Sequence, residues 1–372
     1  MSEQKNEYKG KILLICGSSQ TVVNFRFGLI ERMQESGYSV SVITLDDRHK
    51  DKIVEKDVEF YCTNTDNRSV DPFKMKRLQR EYYGLIKKVE PDIVFTFMLK
   101  PNIFGIRAAR KFGAKKIFAM VEGAGDVFTN TGLKWKIIRG FVCRLYRKSF
   151  KSAEKVFFLN EDDKKEFIER KLVKPAQCEV IPGIGVDIDR FSYKPIKNRR
   201  TFIMIARMLK TKGVLEYCKA ARIVKETYPD AVFDYLGAEG TVKLSEIKEF
   251  IDDGTVNYLG TTDDVRPYLE NCSMFVLPSS YREGVPMSIL EAEATGRGVI
   301  TTDSVGCKET VKDSYNGFLI ERGNINDLAY KIKWCIEHPQ DIDRFGANSR
   351  ALVEQKFDQS VINDEICRSI GI

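Results

Sequence analysis

Short apolar runs recur along this chain, separated by longer stretches in which apolar residues return every three or four positions. In the first half, KILLICG (11–17), YSVSVIT (38–44), DIVFTFM (92–98), KIFAMVEG (116–123), EKVFFLN (154–160) and CEVIPG (178–183) predict strands. Between the first two, FRFGLIERMQESG (25–37) has helical spacing and closes on a glycine. After a polar, irregular stretch from Asp187 to Arg200 the rhythm restarts with TFIMIAR (201–207), AVFDYLG (231–237), TVNYLG (255–260), MFVLPSS (274–280) and GVITTD (298–303). VLEYCKAARIVKETY (214–228) is one of the helices that fit between them. Strand–helix alternation of this kind means parallel sheets joined by crossover helices. The expected architecture is therefore α/β, two doubly wound Rossmann-like domains: residues 1–183, a linker over 184–200, and residues 201–355. Ligands of such sheets bind beyond the carboxyl ends of the strands, so two facing sheets would hold a ligand in a central cleft.

Composition narrows the function classes. At 372 residues, 43% hydrophobic and 30% charged, the chain suits two folded domains rather than a disordered or fibrous protein. The opening MSEQKNEYKGK has no apolar signal core, and no later run approaches the ~18 uncharged residues of a membrane span, so a cytoplasmic location is expected. Nine cysteines without a CxxC pair point to reduced thiols, most of them small core residues. The two histidines, His49 in DDRHK and His338 in EHP, read as surface residues and leave little material for a zinc site or a Ser-His-Asp triad. CGSSQTVVNF after the first strand lacks GxGxxG and LGAEG (236–240) is no better, which argues against a nicotinamide cofactor. Net charge is uneven: residues 1–183 hold 35 Lys/Arg against 24 Asp/Glu, whereas residues 184–372 hold 25 against 29. The basic half calls for an anionic partner.

The most informative segment is VLPSSYREGVPMSILEAEATGRGVITTD (276–303). A buried strand ends at Pro278, a polar loop follows, and Pro286 suits the first position of a helix running to about Gly296. The open amides and positive dipole end of that helix make an anion site ahead of Met287. Glu283 in the loop and Glu291 on the helix bracket it, so two carboxylates can grip hydroxyls on either side of a diphosphate. That is the outline of a sugar nucleotide. An acid ahead of a helix is also a common capping residue. Arg207 and Lys212, at the exit of the strand TFIMIAR, form a further diphosphate clamp, since Arg forks onto oxygens and Lys adds a point charge.

The order E-G-x-P-x-x-x-x-E-A-x-A-x-G, matched by Glu283, Gly284, Pro286, Glu291, Ala292, Ala294 and Gly296, resembles the donor-site signature of glycosyltransferase family 4. The resemblance implies the GT-B fold and a retaining transfer from a nucleotide diphosphate sugar. It implies that Glu283 contacts the transferred sugar, Glu291 holds the ribose, and Arg207 and Lys212 of IARMLKTKG bind the diphosphate. Val285 and Met287 belong to the same donor loop. VNYLGTTDDVRPYLENC (256–272) resembles the segment that receives the nucleobase, with Tyr258 and Leu259 lining it or simply joining the core. SVGCKETVKDSYNGFLI (304–320) resembles the closing pattern, with Glu309 and Gly317 in place. A terminal helix over 356–372 crosses back to the first domain in such enzymes. VNFRFGLI (23–30), KPNIFGIRAARKFG (100–113), VEGAGDVF (121–128) and FFLNEDD (157–163) look like a bacterial subgroup that adds N-acetylgalactosamine or related sugars to undecaprenyl-diphosphate-linked saccharides. Many family members carry a His at the turn where this chain has Glu122.

The resulting expectation is a hexosyltransferase with no cofactor: a UDP-sugar donor, a lipid-linked saccharide acceptor, and no metal, since Arg207, Lys212 and the amides ahead of Met287 take the charge of the leaving diphosphate. Glu122 either orients or activates the acceptor hydroxyl or is a plain structural carboxylate. Gly17, after the first strand, would allow close approach to the diphosphate. Residues 133–153 hold Lys134, Lys136, Arg139, Arg144, Arg147, Lys148 and Lys151 without an acid, interleaved with Trp135 and other apolar residues. This fits an anionic membrane surface and hence a peripheral place on the inner face of the cell membrane. A core helix with a solvated basic face is the alternative, and no recognisable RNA or DNA module supports nucleic acid. Rival functions are a GT-B sugar-nucleotide epimerase, which would lack the two-glutamate context, a phosphorylase, which would need a pyridoxal lysine and far more chain, and a non-catalytic sugar-nucleotide-binding subunit.

Overall fold

The computed structural model describes residues 8–64 and 71–372. The first seven residues, part of the opening read as lacking a signal core, lie outside the described residues. The chain forms two compact units, Met1–Ile184 with Ser360–Ile372, and Gly185–Gln359.

The first unit is built on a seven-stranded sheet: β1 (Gly10–Ile15), β2 (Tyr38–Thr44), β3 (Glu59–Cys62), β4 (Ile93–Phe97), β5 (Lys116–Val121), β6 (Lys155–Phe158) and β7 (Cys178–Val180). Its order is β3-β2-β1-β4-β5-β6-β7, and every pairing is parallel. Leu14 of β1 pairs with Val42 on one side and Phe95 of β4 on the other. Strand order reverses between β1 and β4, so a crevice opens beyond their carboxyl ends. Helices cover both faces, which is why β4 reads IVFTF and is buried at every position. Phe95 and Phe97 pack with ring centroids 4.4 Å apart, and Phe158 meets Phe167 edge-on at 5.3 Å.

The second unit holds β8 (Thr201–Ile205), β9 (Val232–Leu236), β10 (Asn257–Tyr258), β11 (Met274–Leu277), β12 (Gly298–Thr302) and β13 (Gly317–Ile320). They are all parallel in the order β10-β9-β8-β11-β12-β13, the doubly wound arrangement, with its reversal between β8 and β11. Phe202 and Phe233 stack at 5.4 Å, and the buried Tyr217 hydroxyl donates to the carbonyls of Phe202 and Asp234.

Two strands escaped the hydrophobic pattern. β3 (EFYC) is a short edge whose residues are half-buried or exposed, and β13 (GFLI) is a four-residue edge behind the loop that precedes it. Residues 185–200 pack on the second unit. The wholly buried Arg297 guanidinium donates to the carbonyls of Leu269, Lys194, Gly296 and Glu270, and so ties this strap down. The terminal helix Gln359–Ile370 packs in the first unit through an Arg32–Asp364 ion pair and the Lys155 ammonium, which donates to Ser369 at 2.7 Å.

All nine thiols are free and seven are buried. Burial pushes the Cys16 thiol up to about 12, which leaves it an inert core residue. Neither histidine is an ordinary surface residue: both are half-buried, and His338 stacks on Trp334 at 4.2 Å.

Candidate functional site

In the second unit, three loops meet beyond the carboxyl ends of β8, β11 and β12. The loop after β8 ends in the single turn Lys210–Lys212, capped by Gly213 at φ +80°. A Cβ at Gly213 would lie 2.2 Å from the Pro278 carbonyl, so only glycine lets this loop close on the one after β11. The amides of Ser280 and Tyr281 and the hydroxyl of Ser279 all donate to the Thr211 carbonyl. This brings the Lys212 ammonium 2.5 Å from Oε1 of Glu283, and Ser279 Oγ donates to the same oxygen at 3.1 Å. The Glu283 amide donates to Val305 O at 3.2 Å. At Gly306, φ +85°, an added Cβ would come within 2.6 Å of the carbonyls of Glu283 and Gly284. Three loops thus fix the position of one carboxylate.

The helix after the loop runs Met287–Ala294, with Pro286 as the extended residue before it rather than its first residue. Pro286 has no side-chain acceptor, so the first amides are left open toward the loop, at the positive end of the helix. Val285 and Pro286 are buried, Gly284 is buried, and Met287 is half-buried. One turn into the helix lies Glu291, half-buried; the surrounding protein strips water from its carboxyl and pushes it up to about 7. Arg190 opposes that rise and Asp264 adds to it. Asp264 is itself locked to Arg266 by two hydrogen bonds of 2.8 and 2.7 Å, which hold it down at about 2. Glu293, two residues on, is wholly buried and takes a hydrogen bond from Asn316 at 2.9 Å.

Around this centre, Arg207 is exposed at the exit of β8. Tyr258 stacks on Tyr235 at 6.2 Å and donates to Gly237 O at 3.1 Å, and the Leu259 amide donates to Tyr235 O. Both are half-buried, and the ring and the amide are fastened to the sheet edge. Glu309 and Gly317 lie in the same unit, Gly317 opening β13 and Glu309 offering its carbonyl to Lys356.

In the first unit, Gly17 follows β1, Met98 follows β4 and Glu122 follows β5, all at the carboxyl edge. A Cβ at Gly17 would lie 2.7 Å from Met98 Sδ. Met98 adopts φ +72°, a left-handed conformation that is uncommon for such a side chain. Glu122 forms an ion pair with Arg26, whose side chain is buried under the strand ends with its guanidinium 4.4 Å from the Phe97 ring centroid. Desolvation lowers the Arg26 guanidinium to about 10, still charged at neutral pH.

The basic helix runs Leu133–Phe150. Leu133, Ile137 and Phe141, one turn apart, form an outward apolar stripe, exposed by 75, 67 and 61%. Lys134, Lys136, Arg144, Lys148 and Lys151 are exposed alongside it. Trp135 is half-buried. Arg139 donates to the carbonyls of Val127, Phe128 and Asn130, and Arg147 to those of Arg170 and Lys171. Among the described residues no helix is long and apolar enough to cross a membrane.

Comparison with known proteins decides what this architecture is. The family described as Glycosyl transferases group 1 matches residues 186–352, and Glycosyl transferase 4-like matches residues 11–160. Over 343 residues the chain is 30% identical to the N,N'-diacetylbacillosaminyl-diphospho-undecaprenol alpha-1,3-N-acetylgalactosaminyltransferase of Campylobacter jejuni, covering 88% of this chain and 89% of that protein. It belongs to the group 1, family 4-like glycosyltransferases. Another relative of this glycosyltransferase is the Escherichia coli UDP-Gal:alpha-D-GlcNAc-diphosphoundecaprenol alpha-1,3-galactosyltransferase, 28% identical over 324 residues and 80% of each chain. Its fold is GT-B: the Anabaena protein Alr3699/HepE, solved with UDP, superposes with a TM-score of 0.78 at 18% identity, covering 97% of this chain and 99% of that one.

Within the glycosyltransferase, the structure brings Lys212 and Glu283 together and sets Glu291 on the adjoining helix. Arg207, Tyr258 and Leu259 lie on neighbouring strand ends of the same unit, whereas Gly17 and Glu122 belong to the other. Sequence reasoning missed Ser279, Arg190 and Arg26. Ser279 and Arg190 carry no signal in one sequence. Arg26 does, since it is a cation between Phe25 and Phe27.

Proposed function

We propose that this glycosyltransferase moves a hexose-type sugar, N-acetylgalactosamine or a galactose-like sugar, from a UDP-sugar to a lipid-diphosphate-linked saccharide with retention of configuration. The observation that carries the reading is the Lys212–Glu283 pair beside the open start of helix Met287–Ala294, with Glu291 one turn further on. A diphosphate seated on those amides draws Lys212 toward itself, Arg207 adds a second cation, and Glu283 is released to the hydroxyls of the transferred sugar. Glu291 receives the ribose hydroxyls. Negative charge that develops on the departing UDP thus meets fixed positive groups, so no metal is required for the step. Two relatives whose names specify undecaprenyl-diphosphate acceptors support the choice of acceptor. The outward stripe Leu133–Ile137–Phe141 with its flanking lysines supports a seat on an anionic membrane, where such acceptors reside.

The deciding experiment offers the protein a panel of UDP-sugars and undecaprenyl-diphosphate-linked mono- and disaccharides. Product formation with a UDP-hexose, and an α-anomeric proton coupling in the product, is the expected result. Transfer only from a donor other than a UDP-sugar, or a β-linked product from an α-linked donor, overturns it.

A further inference from the structure

We infer that Arg26 is a positioning residue of the transfer reaction, one that holds the Glu122 carboxylate aimed at the acceptor hydroxyl. The inference rests on the proposed acceptor role of the first unit. Three features of the chain converge on it. The helical stretch that begins at Ser19 breaks at Arg26: helices Ser19–Phe25 and Phe27–Glu35 flank it, and its φ of −122° belongs to neither. The break turns the side chain inward, where only 3% of it remains accessible, and lays the guanidinium against the Phe97 ring. Fully desolvating a guanidinium is costly unless an anion or hydrogen-bond acceptors answer it. The answering anion is Glu122, and the other ionisable group facing the guanidinium is the Cys16 thiol, which burial keeps protonated.

The pair is asymmetric in exposure. Glu122 keeps 22% of its side chain accessible, at the carboxyl end of β5 in the sheet whose order reverses at β1 and β4. One side of the carboxylate is therefore gripped from beneath and the other is open at the place where doubly wound sheets bind ligands. Gly123 and Gly125, both at positive φ, follow it, so the chain turns at once beyond the carboxylate. A carboxylate gripped on one side by a buried cation is held in one orientation, with its remaining lone pairs directed outward. Its task is to orient the hydroxyl rather than to deprotonate it.

Arg26→Lys, Glu122→Gln and the double variant test this, with donor and acceptor kinetics and a UDP-binding measurement on each. The Lys variant keeps the charge but shortens the reach and loses the planar fork. We expect it to bind UDP as the wild type does, to keep the donor KM within twofold, and to lose at least tenfold in kcat/KM for the lipid-linked acceptor. The double variant should be no slower than Glu122→Gln alone, because the two residues act as one. A folded, UDP-binding Arg26→Lys enzyme with wild-type acceptor kinetics overturns the inference, as do single losses that multiply in the double variant. Should wild type transfer to no lipid-linked acceptor at all, it is the proposed function that falls. If Arg26→Lys does not fold, Arg26→Met paired with Glu122→Gln removes both charges together, and wild-type acceptor kcat/KM in that folded variant overturns the inference equally.

Discussion

The Lys212 ammonium and the Glu283 carboxylate lie 2.5 Å apart, although they come from loops 71 residues apart in sequence. Both are largely shielded from solvent, with 20% and 12% of their side chains accessible. In the proposed chemistry they hold each other in place until a diphosphate competes for the lysine. Glu283 then meets the transferred sugar, so Glu283→Gln should cut kcat at least tenfold and leave UDP affinity within a few-fold of wild type. A split of that kind marks an interaction made mainly in the transition state. Wild-type turnover in a folded Glu283→Gln enzyme removes the residue from the reaction.

Arg207 and Lys212 are asked to carry the charge that a divalent ion would otherwise neutralise. Transfer should then persist in EDTA, and Arg207→Ala should cost more than Lys212→Ala because the guanidinium can fork onto two oxygens. Loss of activity in EDTA that magnesium restores would show the clamp to be wrong.

Glu291 gives a pH-dependent signature. Burial raises its carboxyl from the ordinary value to about 7, so the folded, donor-free protein resists ionising it. A raised carboxyl contributes its stability below the unfolded value near 4.5 and loses it as pH climbs through the folded value. The full penalty, at most about 3 kcal/mol, is reached above pH 7. Glu291→Gln should therefore raise the Tm of the donor-free protein at pH 8 and change it little at pH 4.5. The same variant should bind UDP-sugar at least tenfold more weakly at pH 8, and the gap should narrow toward pH 6. Following a UDP-sugar rather than UDP avoids the titration of a terminal phosphate. A variant as stable as wild type at both pH values would mean that the Glu291 carboxyl is not held back from ionising.

What could be read in advance follows a physical divide. Central strands such as β1, β4, β8 and β11 are buried on both faces and announce themselves as apolar runs, and the order of Glu283, Pro286 and Glu291 is a local pattern. The edge strand β3 is short and half-covered, so its sequence looks like a loop, and β13, though largely buried, is only four residues long. Pairings made across loops leave no periodic trace. Nothing in the spacing of Ser279, Lys212 and Gly306 says that Glu283 will be fastened by all three. Arg26 and Glu122 are 96 residues apart in sequence. Their pairing needed the topology that sets the helix after β1 beneath the end of β5. Likewise a basic amphipathic helix could be recognised as such, but only the fold separates Arg139 and the exposed Arg147, which cap neighbouring carbonyls, from the other exposed cations.

That separation decides which cations can test membrane binding. A triple substitution including Arg147 would also uncap the carbonyls of Arg170 and Lys171, and a loss of binding would be ambiguous. Lys136, Arg144 and Lys148 are exposed beside the Ile137 and Phe141 stripe and suit the test better. A basic residue near an anionic surface is worth about 1 kcal/mol, so replacing these three with Ala should weaken binding to phosphatidylglycerol vesicles by roughly two orders of magnitude. Binding of the wild type should fall as salt rises, since the Debye length shortens from about 10 Å at 0.1 M to about 3 Å at 1 M. Ile137→Ser with Phe141→Ser should weaken binding at high salt as well, because apolar insertion is not screened. Transfer to a water-soluble acceptor analogue should be unchanged in both variants, as neither touches the donor loops or Glu122. Co-sedimentation reads the result directly. Equal pelleting of wild type, triple and double variants would make the helix an ordinary solvated face.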